Sequence, residues 1–247
     1  MQIKGLKSDI IKPKDDILNA FIKVLKKNKI QLRNKDIIVI SSKVLAVSEG
    51  RIAKVKSENF KTGDLKALIL KEGRKLFPSD CCWLTLNYGH LTANAGIDRS
   101  NIMKEHVVLW PKNPKKSAEL IQKALKKKYK LNDLGVIIAD SACEPLRLGV
   151  HGISIGHYGF EGIEDCRNKK DIYGNEFQFT QRAIADSIAT AALLEMGETN
   201  EKKPFAHIRG ANVKFIHKAE IIKNIPLRED LFYGIYNNDF KRFVSKK

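Results

Sequence analysis

Apolar residues along the chain fall into two patterns, short unbroken runs and longer stretches spaced at three and four. Asp36-Ile37-Ile38-Val39-Ile40 and Val136-Ile137-Ile138-Ala139 are unbroken runs, closed by Ser41-Ser42-Lys43 and by Asp140-Ser141. Short runs bounded by polar residues read as buried strands. Ile3 to Ile11 reads as an edge strand, and His106 to Trp110 and Pro204 to Gly210 as further strands. Ile17, Phe21, Val24 and Leu25 share one face of a helix predicted over 15–29, with lysines on the wet face. The same spacing predicts helices over 65–77, over 117–130 with Ser117 as cap, and over 180–196. Gly197 fits a left-handed cap after the last of these, which would project Glu198 into a loop. Asn87-Tyr88-Gly89-His90, between two short apolar runs, reads as a hairpin turn.

The stretch from Leu134 to Gly159 organises the rest. Its strand ends in a carboxylate, Asp140, and open α/β sheets place ligands at the carboxyl ends of strands. A turn or helix-capping role for Asp140 is the plain alternative. Pro145 and five glycines (Gly149, Gly152, Gly156, Gly159, Gly162) follow, predicting tightly turned backbone that can approach a bound group closely. Hydroxyls and a lysine at Ser41-Ser42-Lys43 suit phosphate contact, although an ordinary polar loop fits that spacing equally. Asn94 to Asn101 is a compact loop with one carboxylate, Asp98, which beside Asp140 would begin to form a metal pair. Asp186, inside a helix, reads as a buried cap or ion-pair member, and Cys143 has no activating neighbour legible in sequence. His151 and His157 are the histidines best placed to line a site; His207, in a strand, reads as a core residue.

Composition narrows the classes. At 247 residues and 43% apolar content the chain can bury a full core, as one unit or two intimately packed subdomains. No apolar run approaches the roughly 18 residues of a membrane span, and the N-terminus has no apolar signal core, so the expected location is the cytoplasm. Four cysteines without metal-knuckle spacing point to reduced thiols. The net charge of +17 favours a polyanionic partner: a nucleotide triphosphate, a substrate with several carboxylates or phosphates, or nucleic acid. Nucleic acid is the weaker reading, because lysine far outnumbers arginine and no recognition motif is present. Phosphate-loop, dinucleotide-fingerprint and HExxH motifs are absent as well.

Four segments taken together go further: SSKVLAVSEGR from Ser41, NAGIDRSN from Asn94, GVIIADSACEPLRLGVHGISIG from Gly135, and the series Asp171, Gly174, Thr180, Ala185-Asp186, Met196-Gly197-Glu198. In this order they resemble the coenzyme F420-0:γ-glutamyl ligase family over nearly the whole chain. The resemblance implies a mixed α/β (α+β) fold of mixed sheets and packed helices, a single catalytic unit over 1–247, and an intertwined homodimer. It also implies a GTP- and divalent-metal-dependent ligase that joins the amine of L-glutamate to an acceptor carboxylate.

By that resemblance Asp98, Asp140, Ser141 and Glu198 hold Mn²⁺ or Mg²⁺. Ser42, Lys43, Asn101 and the segment Met196, Gly197, Glu198, Thr199, Asn200 through Lys203 touch the nucleotide, with Ile10 and Ile11 nearby. Arg147, with Lys169 and Lys170, is a candidate partner for the γ-phosphate or the acceptor's carboxylates, beside Asp140 in the catalytic set. Two positions depart from the pattern. Val47 stands where archaeal members carry a lysine, and Glu144 where an arginine is common. ADSACEPLRLGV is similar to a branch suspected to act on folates, so the acceptor is F420-0 or a folate. The alternative is a degenerate member that binds nucleic acid or another polyanion; retention of three carboxylates in a basic chain speaks against it.

Overall fold

The computed structural model describes residues 1–57, 59–217 and 225–233. In chain order the elements are β1 (Gln2–Leu6), α1 (Ile17–Lys27), β2 (Asp36–Ser41), α2 (Ser42–Ser48), β3 (Ile52–Lys54), α3 (Gly63–Glu72), β4 (Arg74–Pro78), β5 (Trp83–Asn87) and β6 (His90–Ala93). They continue with β7 (His106–Val108), α4 (Pro114–Tyr129), β8 (Leu134–Ala142), β9 (His151–Tyr158), β10 (Ile163–Asp165), β11 (Gln181–Ala183), α5 (Ile184–Met196) and β12 (Phe205–Arg209). The mixed α/β class expected from the sequence is the one observed.

The main sheet has the order β1-β12-β2-β8-β9. Only β2 and β8 run parallel; the other pairs are antiparallel. Both faces of this sheet are covered, which is why β2 and β8 carry unbroken apolar runs. Ile38, Ile40, Val136 and Ile138 face a core shared with α1 and α4, whereas Ile37, Val39, Ile137 and Ala139 face α5. Each fully buried side chain of this size stabilises the fold by about 1.5–3 kcal/mol. Helix α1 is capped by Asp16, whose carboxylate accepts from the Leu18 and Asn19 amides, and its Phe21 ring packs 5.1 Å from Phe205. A separate core under α3 and the β5–β6 hairpin is built on Leu65, Ile69, Trp83 and Val107. Among the described residues no helix is long and apolar enough to cross a membrane.

Several boundaries differ from the sequence expectation. Strand β1 stops at Leu6; Ile10 and Ile11 lie in the following loop. The apolar piece Val44–Val47 is helical, inside α2. Helix α3 ends at Glu72, and Arg74–Pro78 pairs with β5 instead. Asn113, not Ser117, caps α4: its side chain accepts from the Lys116 amide, and Pro114 occupies the first helical turn. The Ser117 hydroxyl donates to Glu49 at 2.8 Å instead. The helix predicted from 180 begins at Ile184, after the short strand β11. Gly197 has φ 78° and ψ 170°, a glycine-only conformation but not the left-handed helical one. The basic tail beyond Lys241 lies outside the described residues.

The glycine-rich stretch after Asp140 is turned only at its ends: Gly152 and Gly156 lie in the extended strand β9, while Gly149 and Gly159, with φ +95° and +99°, turn the chain on either side of it. One extra residue, Ile155, falls between the partners of Ile138 and Ala139, a bulge that changes which face the strand's alternate residues take. A Cβ on Gly152 would lie 2.5 Å from the Ala189 backbone in α5, and one on Gly156 would lie 2.6 Å from the backbone of Pro114 and Lys115 in α4. Those two glycines allow helices on opposite faces to lie against β9. Asp186, in the first turn of α5, neither caps that helix nor is fully buried; it ties α5 to the sheet by accepting from the Ser154 amide of β9 at 2.8 Å.

Candidate active site

Parallel pairing of β2 with β8 aligns Ile40 with Ile138 and Ser41 with Ala139, so both strands end on the same side of the sheet. Ser42 and Lys43 leave the first strand, while Asp140 and Ser141 end the second. The Asn94–Asn101 loop reaches them because Asp98 and Val108 exchange backbone hydrogen bonds, 2.9 and 2.8 Å long, beside β7. The segment from α5 to β12 closes the opposite wall. Between these pieces lies a cleft of about 360 Å³.

Lys43 is the central cation. Its ammonium lies 2.5 Å from Asp98 Oδ2 and donates to Ser100 Oγ at 2.7 Å. The Ser100 amide donates to Asp98 Oδ1 at 2.6 Å. Burial pushes the Asp98 carboxyl upward, but Lys43 and the two Ser100 donors outweigh it and hold the group below its ordinary value. Asp140 behaves in the opposite way. Burial raises its carboxyl to about 6; bonds from the Ser141 amide, the Trp110 indole and the Ser42 hydroxyl oppose that rise, and the Asp98 charge adds to it. Two neighbouring carboxylates are thus driven apart in acidity, as at many functional sites.

The Ser141 hydroxyl lies 3.0 and 2.9 Å from the two carboxylate oxygens of Glu198. Asn101 donates through Nδ2 to the Thr199 carbonyl at 2.7 Å, tying the Asp98 loop to the far wall. Thr199 is held in turn by Glu201, through its amide and its hydroxyl, each at 2.9 Å. Asp98, Asp140, Ser141 and Glu198 present oxygen atoms only, the donors that hard cations such as Mg²⁺ and Mn²⁺ take. Among the described residues no three Asp, Glu, His or Cys side chains stand together in cation-holding geometry. Asp98 is drawn to Lys43 and Glu198 to Ser141, and the like charges of Asp98 and Asp140 repel.

Most residues singled out in the sequence meet here. Ile10, Ile11, Lys43, Asp98, Asn101, Asp140, Ser141 and Met196 through Lys203 all line the cleft, as does Val47. Ser42 is buried behind it, with its hydroxyl on Asp140. Arg147, Lys169 and Lys170 are not among the lining residues. Arg147 sits in an exposed loop after β8, and Lys169 pairs with Glu164 at 2.8 Å. Glu144, the second departure from the family pattern, lies 3.0 Å from His151, outside the cleft lining. His157 is buried against Phe160. Sequence reasoning gives no site role to Trp110 or Ser100: Trp110 only ends a strand, and Ser100, though inside the NAGIDRSN segment, shows its role only once Lys43 stands beside it.

Comparison with known proteins places the chain in a family. Residues 5–210 match the family model described as F420-0:Gamma-glutamyl ligase. The chain is 35% identical over 230 residues to the coenzyme F420:L-glutamate ligase of Methanococcus maripaludis strain C7, covering 87% of this chain and 90% of that protein. It is 33% identical over 250 residues to the enzyme of the same name from M. maripaludis strain S2, covering 94% and 97%. A shorter match, 43% identical over 147 residues, covers 59% of the chain and 57% of the corresponding Methanocaldococcus jannaschii protein. The match extends from Gly5 in β1 to Gly210 after β12, so it includes every segment of the cleft, and the chain belongs to the F420-0:γ-glutamyl ligase family.

Proposed function

We propose that this protein is an NTP- and divalent-metal-dependent γ-glutamyl ligase. It joins L-glutamate to a carboxylate on coenzyme F420-0 or a folate through an acyl phosphate, with GTP as phosphoryl donor. The observation that carries this reading is the convergence of Lys43, Asp98, Asp140 and Glu198, from four separated segments, on one cleft.

A carboxylate is a poor acyl donor, and its phosphorylation creates an intermediate that an amine can attack. Phosphoryl transfer of this kind needs positioning and charge stabilisation more than a covalent residue. Lys43 supplies a fixed positive charge for the triphosphate, already oriented by Asp98 and Ser100. Asn101 and the Met196–Lys203 segment hold the nucleotide, and the Asn101–Thr199 bond keeps the two walls in register. Asp98, Asp140, Ser141 and Glu198 would hold Mn²⁺ or Mg²⁺, which when bound neutralises phosphate charge and polarises the phosphoryl group. Val47 adds no charge at its edge of the cleft, and Lys43 serves in place of the lysine common there.

The reading includes a cytoplasmic homodimer, with 1–247 as one catalytic unit. Two segments support it: in the loop after β8, Leu146 and Leu148 are fully exposed on either side of Arg147, and between β10 and β11 apolar Ile172 and Phe179 are each 90% exposed. Such side chains are suited to burial against a second copy. Arg147 then acts on acceptor carboxylates across that contact. A degenerate polyanion-binding member is the competing reading; it rests on the basic charge and on Val47 and Glu144, and Glu144 leaves the cleft untouched.

The deciding experiment incubates the protein with GTP, Mn²⁺, L-glutamate and either F420-0 or a tetrahydrofolate, and weighs the products by mass spectrometry. A glutamyl adduct on one acceptor identifies the substrate. Folded protein that adds glutamate to neither, and retains DNA in a salt-dependent way, would establish the competing reading.

A further inference from the structure

We propose that Trp110 is the positioning residue for Asp140, and that Gly96 is the residue that makes room for it. The inference rests on the proposed role of Asp140 as a cation ligand.

Trp110 is 3% exposed, and its indole N–H donates to Asp140 Oδ2. An indole has one polar atom, and that atom can only donate, so a buried indole requires an acceptor. Here the acceptor is the carboxylate at the end of β8. The donor occupies one carboxylate oxygen and fixes the plane in which the remaining lone pairs lie. Groups that orient a ligating carboxylate in this way commonly contribute 10- to 100-fold in metal affinity.

The ring itself cannot turn away. Tyr88 lies nearly parallel to it, at 6.3 Å and 11°, and His90 meets it edge-on at 5.9 Å and 82°. The Trp110 carbonyl accepts from Arg51 Nε at 3.0 Å, fixing the backbone as well. Gly96 supplies the remaining condition. It has φ +74°, and a Cβ there would fall 2.2 Å from the indole nitrogen. Any larger residue would push the ring off Asp140. Gly96 also lies two residues before Asp98, and Tyr88 and His90 belong to the hairpin that leads into this loop. One aromatic ring therefore locks the segment carrying one acidic residue of the cleft to the side chain of another.

Trp110→Phe keeps a ring and loses the donor. Mn²⁺ binding followed by electron paramagnetic resonance should be 10- to 100-fold weaker in this variant than in wild type. Tyr88→Phe removes only a hydroxyl that bonds the Lys112 carbonyl, and should bind Mn²⁺ within twofold of wild type. Wild-type affinity in a folded Trp110→Phe protein would overturn the inference. Absence of Mn²⁺ binding by wild type would instead overturn the metal reading, and this role with it. If the variant does not fold, the two indole N–H resonances of ¹⁵N-labelled wild type decide. Addition of Mg²⁺ should shift that of Trp110 and leave that of Trp83, bonded to the Phe60 carbonyl, in place. A Trp110 resonance unmoved by bound Mg²⁺ would end the proposal.

Discussion

Replacing Asp36 with asparagine tests how the sheet beneath the cleft is held together. Asp36 opens β2, and its side chain is fully buried. Its Oδ2 accepts from the Arg33 amide and Arg209 Nη2, each at 2.8 Å, and lies 2.8 Å from His207 Nε2; Oδ1 accepts from Arg209 Nε at 2.8 Å. His207 and Arg209 belong to β12, so this carboxylate clamps β12 to β2. Burial alone would raise its pKa, but Arg209, His207 and the Arg33 amide more than compensate and lower it from 3.8 to about 2. At ~1.36 kcal/mol per pH unit that difference is worth about 2 kcal/mol of stability. The contribution is complete above the unfolded value near 3.8 and is lost as pH falls through about 2; about half of it is gone near pH 3. The asparagine amide of Asp36→Asn would retain some bonds, and Arg209 is 34% exposed, so water can reach the guanidinium left behind. The expected loss is therefore about 2–3 kcal/mol at pH 7, below the usual range for a fully buried broken pair. For a chain of this size that corresponds to a fall in Tm of roughly 4–12 °C. Urea titrations of both proteins at pH 7, 4 and 3 should show the stability gap shrinking as pH falls. A gap under about 0.5 kcal/mol at pH 7, or one that stays constant down to pH 3, would refute the clamp.

Three further outcomes follow from the cleft. Lys43→Ala removes the ammonium paired with Asp98 and Ser100, and should raise KM for GTP at least about tenfold, the effect of losing one charge-assisted bond; steady-state kinetics with varied GTP checks it. Gly197→Ala forces a side chain into a glycine-only conformation with its Cβ 2.2 Å from Glu201 Cδ. That should cost about 1–3 kcal/mol and weaken nucleotide binding measured by calorimetry, because Glu201 also holds Thr199. Asp140 must be ionised to ligate a cation, and burial raises its carboxyl to about 6. Mn²⁺ affinity measured by titration should therefore fall about tenfold per pH unit below that point and level off above it.

The parts of the fold legible in sequence are those where burial imposes a pattern. β2 and β8 are covered on both faces, and their runs of Ile and Val announce it. Helix α1 buries one stripe, so its spacing is unmistakable. β9 escaped because close approach of α4 and α5 is achieved by Gly152 and Gly156, and glycines in sequence read as turns. Helix α2 escaped because four apolar residues directly after a strand carry no period of their own. The site was legible through the order of its motifs, not through any spacing, since Asp98, Asp140 and Glu198 approach one another only after β2 and β8 pair in parallel. Trp110 could not be read at all: a single aromatic at the end of a strand says nothing of which carboxylate its nitrogen will meet.

The distribution of charge bears on the ligand more than its sum does. Much of the excess of basic residues has a structural reason unconnected with any site. Lys126, Lys127 and Lys128 occupy the last turn of α4, and Lys26 and Lys27 that of α1, where cations complement the helix dipole. Lys116 and Lys123 flank Glu119 one turn on either side, at 3.0 and 2.6 Å. The cleft, by contrast, gathers more acidic than basic residues inside a chain of net charge +17: Asp9, Asp98, Asp140, Glu198 and Glu201 line it, against Lys43, Lys202 and Lys203. A surface built to hold a polyanion directly would not place carboxylates there, because each repels phosphate. Carboxylates facing a triphosphate make electrostatic sense when a divalent cation stands between them, with Lys43 and the surrounding basic field drawing the anion in. The local sign of the cleft, opposite to that of the whole molecule, therefore favours a metal-bridged nucleotide over nucleic acid.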